Sequence, residues 1–373
     1  MVLGGAVIGA ALSSDPRAAR ASSAVGVEDG AALRVRLRDA LASVHSGNIP
    51  GIAARVERPG FCWSGAVGSV TLGGDRPLSP DHGFRISSVT KPFTAAVVLR
   101  LMEQGRLGLD DSIATYLDRS LVDRVHVVDG VSYGRRITVR MLLNHTSGVY
   151  DYATDPAYLA AIGGDPSHRW TAMEQIEFAI RHGRPYFLPG SGFHYSDTGY
   201  VLAGRIAERV TGEPLHRLTR RFLLDPLRLH DTYTESLERV KPGTPPRAHQ
   251  YYQTVDAYAF DPSFDLYGGG GLVSSVGDLA RFLRGLLGGR VFRKRATLLL
   301  MMRPGPLASY GMGLQWFELD GAHAVGHTGF FGAFAAYVPA RNLIVASTTN
   351  QSEGSSHAPA QEIARVLREN AIK

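Results

Sequence analysis

Apolar residues recur at helical spacing through 31–44, at Leu33, Val35, Leu37, Leu41 and Val44, and Ser46-Gly47 ends the run. Two short apolar or alternating runs, 52–56 and 62–70, are broken by Pro59-Gly60 and predict a β-hairpin. The stretch 93–102 is apolar nearly all round, which predicts a buried helix rather than an amphipathic surface one; Glu103-Gln104-Gly105 closes it. From 112 to about 262 helical patterns dominate, most clearly at 173–182 and 198–209. Past the glycine run 268–271, a helix is predicted at 276–287, strands at 311–319, 323–326, 334–338 and 343–348, and a last helix at 360–369. The outer parts of the chain, about 30–111 and 263–373, thus mix helix and strand around a mainly helical middle, 112–262. No internal repeat or low-complexity linker divides them, so a single domain spans 30–373, and a site is expected in the cleft between its two parts.

Composition narrows this picture only slightly. The chain has 373 residues, 44% of them hydrophobic and 20% charged, an ordinary globular balance with length enough for a large core. The formal charge of +6 and pI near 9.4 do not predict a nucleic-acid partner, because the arginines are spread and no basic run reaches five residues. A single cysteine, Cys62, excludes an internal disulfide and a thiolate metal cluster without fixing the compartment.

Residues 1–29 read as a leader. The run 2–12 is apolar but too short for a stable membrane span, and Ala19-Arg20-Ala21 offers a small-x-small cleavage pattern before Ser22. The expectation is export to the periplasm or medium, with a disordered extension on a cytoplasmic protein as the alternative.

Chemistry enters at Ser88-Val89-Thr90-Lys91, where the buried helix begins. Residues three apart at a helix start share a face, which brings the Ser88 hydroxyl and the Lys91 amine within hydrogen-bond reach. Desolvation and the positive end of the helix dipole both disfavour an ammonium, so Lys91 is predicted to give up a proton readily and to activate the serine. The alternative is a buried, paired structural lysine. The composition favours catalysis: the chain has four lysines, Lys91, Lys241, Lys294 and Lys373, against 36 arginines, and arginine cannot serve as a base.

Two further stretches carry polar groups that packing alone does not explain. In the loop 187–197, Tyr195 and Asp197 lie on one face of an extended segment, although Asp197 as a plain helix cap is the alternative. In His327-Thr328-Gly329-Phe330-Phe331, the glycine allows close approach of a ligand to the backbone.

Ser88-x-x-Lys91, Tyr195-Ser196-Asp197 and His327-Thr328-Gly329 come in the order and rough spacing of the three motifs of the penicillin-recognising serine hydrolases, and the chain resembles the class C β-lactamase, D-alanyl-D-alanine carboxypeptidase and esterase branch. The stretches 137–148, 189–202 and 269–275 with 278–282 are similar to that family too, so the resemblance covers about 49–350. It implies an α+β fold: an antiparallel sheet flanked by helices, with an inserted helical subdomain and the site between them. It also implies an acyl-enzyme on Ser88, proton movement by Lys91 and Tyr195, an oxyanion held by the backbone N–H groups of Ser88 and Phe330, and substrate contacts from Asp197, His327, Thr328 and Phe330. No cofactor or metal is implied.

Two departures from the commonest pattern bear on substrate. Asp197 stands where the family usually has Asn; a carboxylate cannot donate to a substrate amide, and it favours a charged Lys91, which points to Tyr195 as the working base if a cation stabilises its phenolate. His327 stands where many members have Lys, which softens the pull on a substrate carboxylate. With aromatic residues Tyr150, Tyr152, Phe193, Tyr267, Phe330 and Phe331 near the motifs, ester hydrolysis or acyl transfer ranks ahead of D-Ala-D-Ala carboxypeptidase activity, and both ahead of β-lactam hydrolysis. The expected partner is a small-molecule or peptide acyl substrate, with no nucleic acid, no stable membrane span and an open oligomeric state. The rival readings are a non-turnover sensor of peptidoglycan or antibiotic and a zinc site at His323 and His327. The latter lacks the glutamate of a zinc-protease helix.

Overall fold

The structure is a computed structural model that describes residues 26–305, 309–352 and 356–371. The apolar run and cleavage pattern of the leader lie outside the described residues. Eleven elements frame the site: helix α1 (Gly26–Val44), strands β1 (Gly51–Arg58) and β2 (Phe61–Gly68), helices α2 (Lys91–Glu103), α3 (Asp197–Thr211) and α4 (Val276–Leu287), strands β3 (Gln315–Leu319), β4 (Ala322–Thr328), β5 (Phe334–Val338) and β6 (Leu343–Thr348), and helix α5 (Ala358–Ala371). The six strands form one sheet in the order β3-β4-β5-β6-β1-β2, antiparallel throughout.

Both faces of this sheet are covered, and strand alternation decides which side chain goes where. Ile52, Ala54 and Val56 of β1 and Leu343 and Val345 of β6 pack with Leu33, Leu37 and Leu41 of α1 and Ile363 and Leu367 of α5. Their neighbours Ala53, Ile344 and Ala346 turn the other way, into a larger core with α2, α3 and α4. On β4, Ala324 belongs to the first layer and Val325 to the second. His327, two residues on, therefore faces the second layer and the helical part of the molecule.

The chain's middle is helical but not purely so. Its helices include Ala172–His182, opened by a capping box of Thr171 and Glu174, and α3, closed by Gly212 in the left-handed conformation (φ 73°). A short strand there, Tyr233–Thr234, joins Leu272–Ser274 and Phe84–Arg85 in a small antiparallel sheet. Pairing of these strands through backbone bonds needs no long apolar run, so the alternation that betrays larger strands is missing from the sequence. This sheet carries the chain into the site. Arg85, buried within it, ion-pairs Glu235 at 2.6 Å and donates to the carbonyls of Ala257 (2.8 Å) and Phe260 (2.7 Å), while the Gln250 amide bonds both its N–H and its C=O.

The predicted strand at 311–319 begins only at Gln315, because Gly311 donates to the Leu314 carbonyl (2.7 Å) and folds 311–314 into a turn. Gly313 sits there at φ 74°, and a Cβ on it would stand 2.8 Å from the Lys91 carbonyl. Glycine lets this turn lie directly on the start of α2. Among the described residues, no helix is long and apolar enough to cross a membrane.

Candidate active site

Ser88 reaches the site through a tight 3₁₀ turn, Ser87–Thr90, that runs into α2; Ser87, just ahead of it, takes a left-handed backbone (φ 45°). That strained position turns the chain from the strand Phe84–Arg85 into the helix start and presents the Ser88 side chain to a cavity of about 780 Å³. The Lys91 Nζ lies 2.8 Å from the Ser88 Oγ, as the i, i+3 spacing predicted.

Lys91 is fully buried, yet it is far from a bare desolvated amine. Besides Ser88 it donates to a carboxylate oxygen of Asp197 and to the Gly269 carbonyl (2.9 Å). Three acceptors match the three hydrogens of an ammonium. Asp197 is the first residue of α3, and Ser196 ahead of it makes no side-chain cap, so the carboxylate serves Lys91 rather than the helix end. Gly269 and Asp197 are pressed together: a Cβ on the glycine would meet the carboxylate at 2.3 Å.

Tyr195 lines the same cavity beside Ser88, with its hydroxyl buried and without a hydrogen bond of ordinary geometry. Burial first, and then the Asp197 charge, push its phenol well above the ordinary value, with the Ser88 hydroxyl acting the other way. The Lys91 nitrogen sits 4.7 Å from the centre of the Tyr195 ring, over its face. The cation that a stable phenolate needs is therefore engaged elsewhere, and the expectation of Tyr195 as the working base meets an environment that keeps it neutral.

The sheet wall presents His327, buried at the end of β4. Its Nδ1 lies 2.7 Å from the Thr328 carbonyl and so carries the hydrogen, which leaves Nε2 to accept from the Tyr310 hydroxyl at 2.9 Å. Burial and the Lys91 charge hold its pKa down at about 3. The imidazole is neutral at physiological pH, a stronger departure from a lysine than the sequence suggested. Thr328 lines the cavity next to it.

Two backbone donors are available for an oxyanion. The turn after β4 is closed by Gly329 N–H onto Ala333 (2.7 Å) and Gly332 N–H onto Gly329 (3.0 Å). Neither Phe330 N–H nor Ser88 N–H has an acceptor among the described residues. Gly329 holds the turn against the nucleophile's strand, since a Cβ there would stand 2.3 Å from the Ile86 carbonyl.

Several aromatic expectations need correction. Phe193, Phe330 and Phe331 line the cavity, but Tyr150 donates to Asp155 (2.9 Å), Tyr152 is a core residue, and Tyr267 donates to the Trp170 carbonyl (2.7 Å). The wall uses instead Tyr158, Tyr252, Phe264 and Tyr310. Asp265, four residues ahead of Gly269, also lines the cavity, and no motif marks it in the sequence. His145 supports the site from behind. Its Nδ1 accepts from Ser196 N–H (3.1 Å), its ring centre lies 4.2 Å from that of Tyr195 at a tilt of 33°, and burial holds its pKa well below 6.5. His323, at the other end of β4, is exposed and apart from His327, so the two do not form a metal pair.

A serine held by a lysine, two backbone N–H groups without an acceptor among the described residues, and a cleft between sheet and helices define a serine hydrolase of the β-lactamase fold. The chain belongs to the beta-lactamase family, whose model matches residues 33–368. Among curated relatives it is similar to penicillin-binding protein 4* of Bacillus subtilis, 29% identical over 194 residues, a match spanning 52% of this chain and 37% of that one. It is also similar to esterase EstB of Burkholderia gladioli, 29% identical over 294 residues, 69% of this chain and 71% of the relative. A solved D-stereospecific amidohydrolase from Streptomyces sp. superposes with a TM-score of 0.76 at 30% identity, over 89% of this chain and 97% of the other.

Proposed function

We propose that the protein forms an acyl-enzyme on Ser88 and prefers esters and simple amides to the anionic D-alanyl peptides and β-lactams. The observation that carries the reaction is the 2.8 Å contact of Lys91 with Ser88 at the head of the cavity. Lys91 lies in hydrogen-bond reach of the nucleophile, and it becomes a base by passing one proton to Asp197, its closest partner, across their direct contact. Ser88 then attacks the carbonyl carbon and its proton goes to Lys91. Tyr195, kept neutral by its surroundings, donates its hydroxyl hydrogen to the leaving oxygen or nitrogen, and the proton that Lys91 took from Ser88 replaces it. The N–H groups of Ser88 and Phe330 hold the tetrahedral oxyanion. Water deacylates the enzyme by the same route in reverse.

The substrate preference rests on His327. A neutral imidazole closed by its own two hydrogen bonds offers no cation to a substrate carboxylate. The test pairs turnover of p-nitrophenyl butyrate with labelling by a fluorophosphonate. Ser88→Ala is expected to lose both, and a labelled Ser88→Ala protein would overturn the assignment.

A further inference from the structure

The described cavities, charged clusters and exposed patches offer one feature that the reaction above leaves unused. Asp265 lines the active-site cavity, and its carboxylate makes no hydrogen bond and no ion pair with any described residue. Every other acid near the nucleophile is engaged. Asp197 holds Lys91, and Asp151 accepts from the N–H of Asp197 (2.8 Å) and from Ala153 and Thr154. The cations within electrostatic reach of Asp265 are Lys91 and Arg85, and both are fully occupied: Lys91 by its three acceptors, Arg85 by Glu235 and two carbonyls.

The position of this acid is fixed by the glycine run. A Cβ on Gly269 would strike the Asp197 carboxylate at 2.3 Å, and one on Gly270 would strike that of Asp265 at 2.2 Å. Two consecutive glycines thus bring the two carboxylates alongside one another, and the carbonyl of the first anchors Lys91. The cavity that Asp265 lines has an apolar wall as well, with Phe264 and with Tyr158, Leu159 and Ile162 of the helix Pro156–Gly164. On the opposite wall the imidazole of His327 carries no charge to balance it. Burial and the Asp197 charge raise the Asp265 carboxyl to about 7, which marks an acid whose charge the described residues do not compensate.

Resting on the reading of this cavity as the active site, we infer that Asp265 is the anionic subsite for a substrate ammonium group, so that the preferred acyl donors are aminoacyl esters and amides with a free amine and an apolar side chain. A bound ammonium supplies the missing cation, and the aromatic and aliphatic wall takes the side chain. A neutral acyl group of the same shape leaves the carboxylate buried against apolar surface, and a carboxylate-bearing one places two like charges together.

The experiment compares phenylalanine p-nitroanilide and p-nitrophenyl ester, in both enantiomers, with their N-acetyl counterparts and with p-nitrophenyl butyrate. In the wild type the free-amine form of at least one enantiomer is expected to exceed its N-acetyl form in kcat/KM by about tenfold or more. Asp265→Asn should reduce that ratio about tenfold, with the free-amine substrate losing most. Equal turnover of the two forms, or faster turnover of the N-acetyl form, overturns the inference while hydrolysis of the butyrate still upholds the Ser88 reaction; no turnover of any of them overturns both. A measurement on the wild type alone covers a variant that folds poorly: phenethylamine should inhibit butyrate hydrolysis competitively with a Ki about tenfold below that of 2-phenylethanol. Equal inhibition by the amine and the alcohol counts against Asp265 as an ammonium site.

Discussion

The two walls of the cavity are finished in opposite ways. On the sheet side, His327 and Tyr310 satisfy one another, and Thr328 completes the imidazole, so that wall is neutral and closed. On the helical side three carboxylates, Asp151, Asp197 and Asp265, surround the single lysine, and one of them has no partner among the described residues. The sheet wall is built to hold geometry, since strand register and local hydrogen bonds leave His327 one tautomer and one position. The helical wall holds charge in excess of what it can neutralise. Such an imbalance costs stability, and it persists at sites where a ligand completes it.

The sharpest way to break this contrast is to remove the lysine on which the helical wall centres. Lys91→Ala leaves Ser88 without a base and Asp197 as a second unpaired acid. A fall in kcat/KM for p-nitrophenyl butyrate of about 10³-fold is expected, with circular dichroism showing that the fold survives. Retention of more than about a tenth of the activity would move the base to Tyr195.

The sheet wall can be broken through its backbone. Gly329→Ala places a methyl against the Ile86 carbonyl, which displaces the turn that carries the Phe330 N–H. The expected result is a loss of about 10²-fold in kcat with KM changed much less, as for one oxyanion donor. An equal rise in KM would mean that the turn binds substrate without holding the oxyanion.

The contrast also explains what the sequence could tell. Ser88 and Lys91 are legible because their relation is local: three residues at a helix start fix it. Tyr195, Asp197 and His327 are legible by the order of their motifs, but the strand expected to end at 326 runs on to Thr328, and only that extension gives His327 its face. Asp197 had two local readings, cap or site, and only the arrival of Lys91 from another helix decides between them. Tyr310 and Asp265 act through tertiary neighbours, His327 across 17 residues of chain in one case and the open cavity in the other, so no spacing announces them. Tyr150, Tyr152 and Tyr267 failed for the converse reason. Closeness to a motif in sequence does not say which side of the loop a ring occupies, and these three turn toward Asp155, the core and Trp170. The helices and the larger strands followed their hydrophobic periods, whereas the small sheet that carries Ser88 is made of two- and three-residue strands held by backbone bonds.

Making the neutral wall charged is a milder change. His327→Lys ends the Tyr310 contact and places an ammonium opposite Asp265. The ratio of kcat/KM for p-nitrophenyl hemisuccinate to that for p-nitrophenyl butyrate should rise about tenfold, and amine-bearing substrates should lose by a similar factor. An unchanged ratio would show that the sheet wall does not meet the part of the substrate that carries charge.

The smallest effect is on stability, and it isolates the unpaired acid. Asp265 has its carboxyl raised from 3.8 to about 7, so its contribution favours the folded state below about pH 4 and is lost as pH rises through about 7. At pH 8 the folded protein has to hold the charge, while the unfolded chain ionises the same group in water. Asp265→Asn removes that cost, and the ligand-free variant should be more stable than the wild type at pH 8 by about 2 kcal/mol, a figure reduced from the full shift because solvent reaches the cavity. Near pH 4 the two proteins should unfold at nearly the same temperature, since the carboxyl is then protonated in the fold. Saturating phenethylamine should raise the melting temperature of the wild type more than that of the variant at pH 8. A gain of equal size at both pH values would assign the effect to packing of the amide and leave the helical wall without its excess charge.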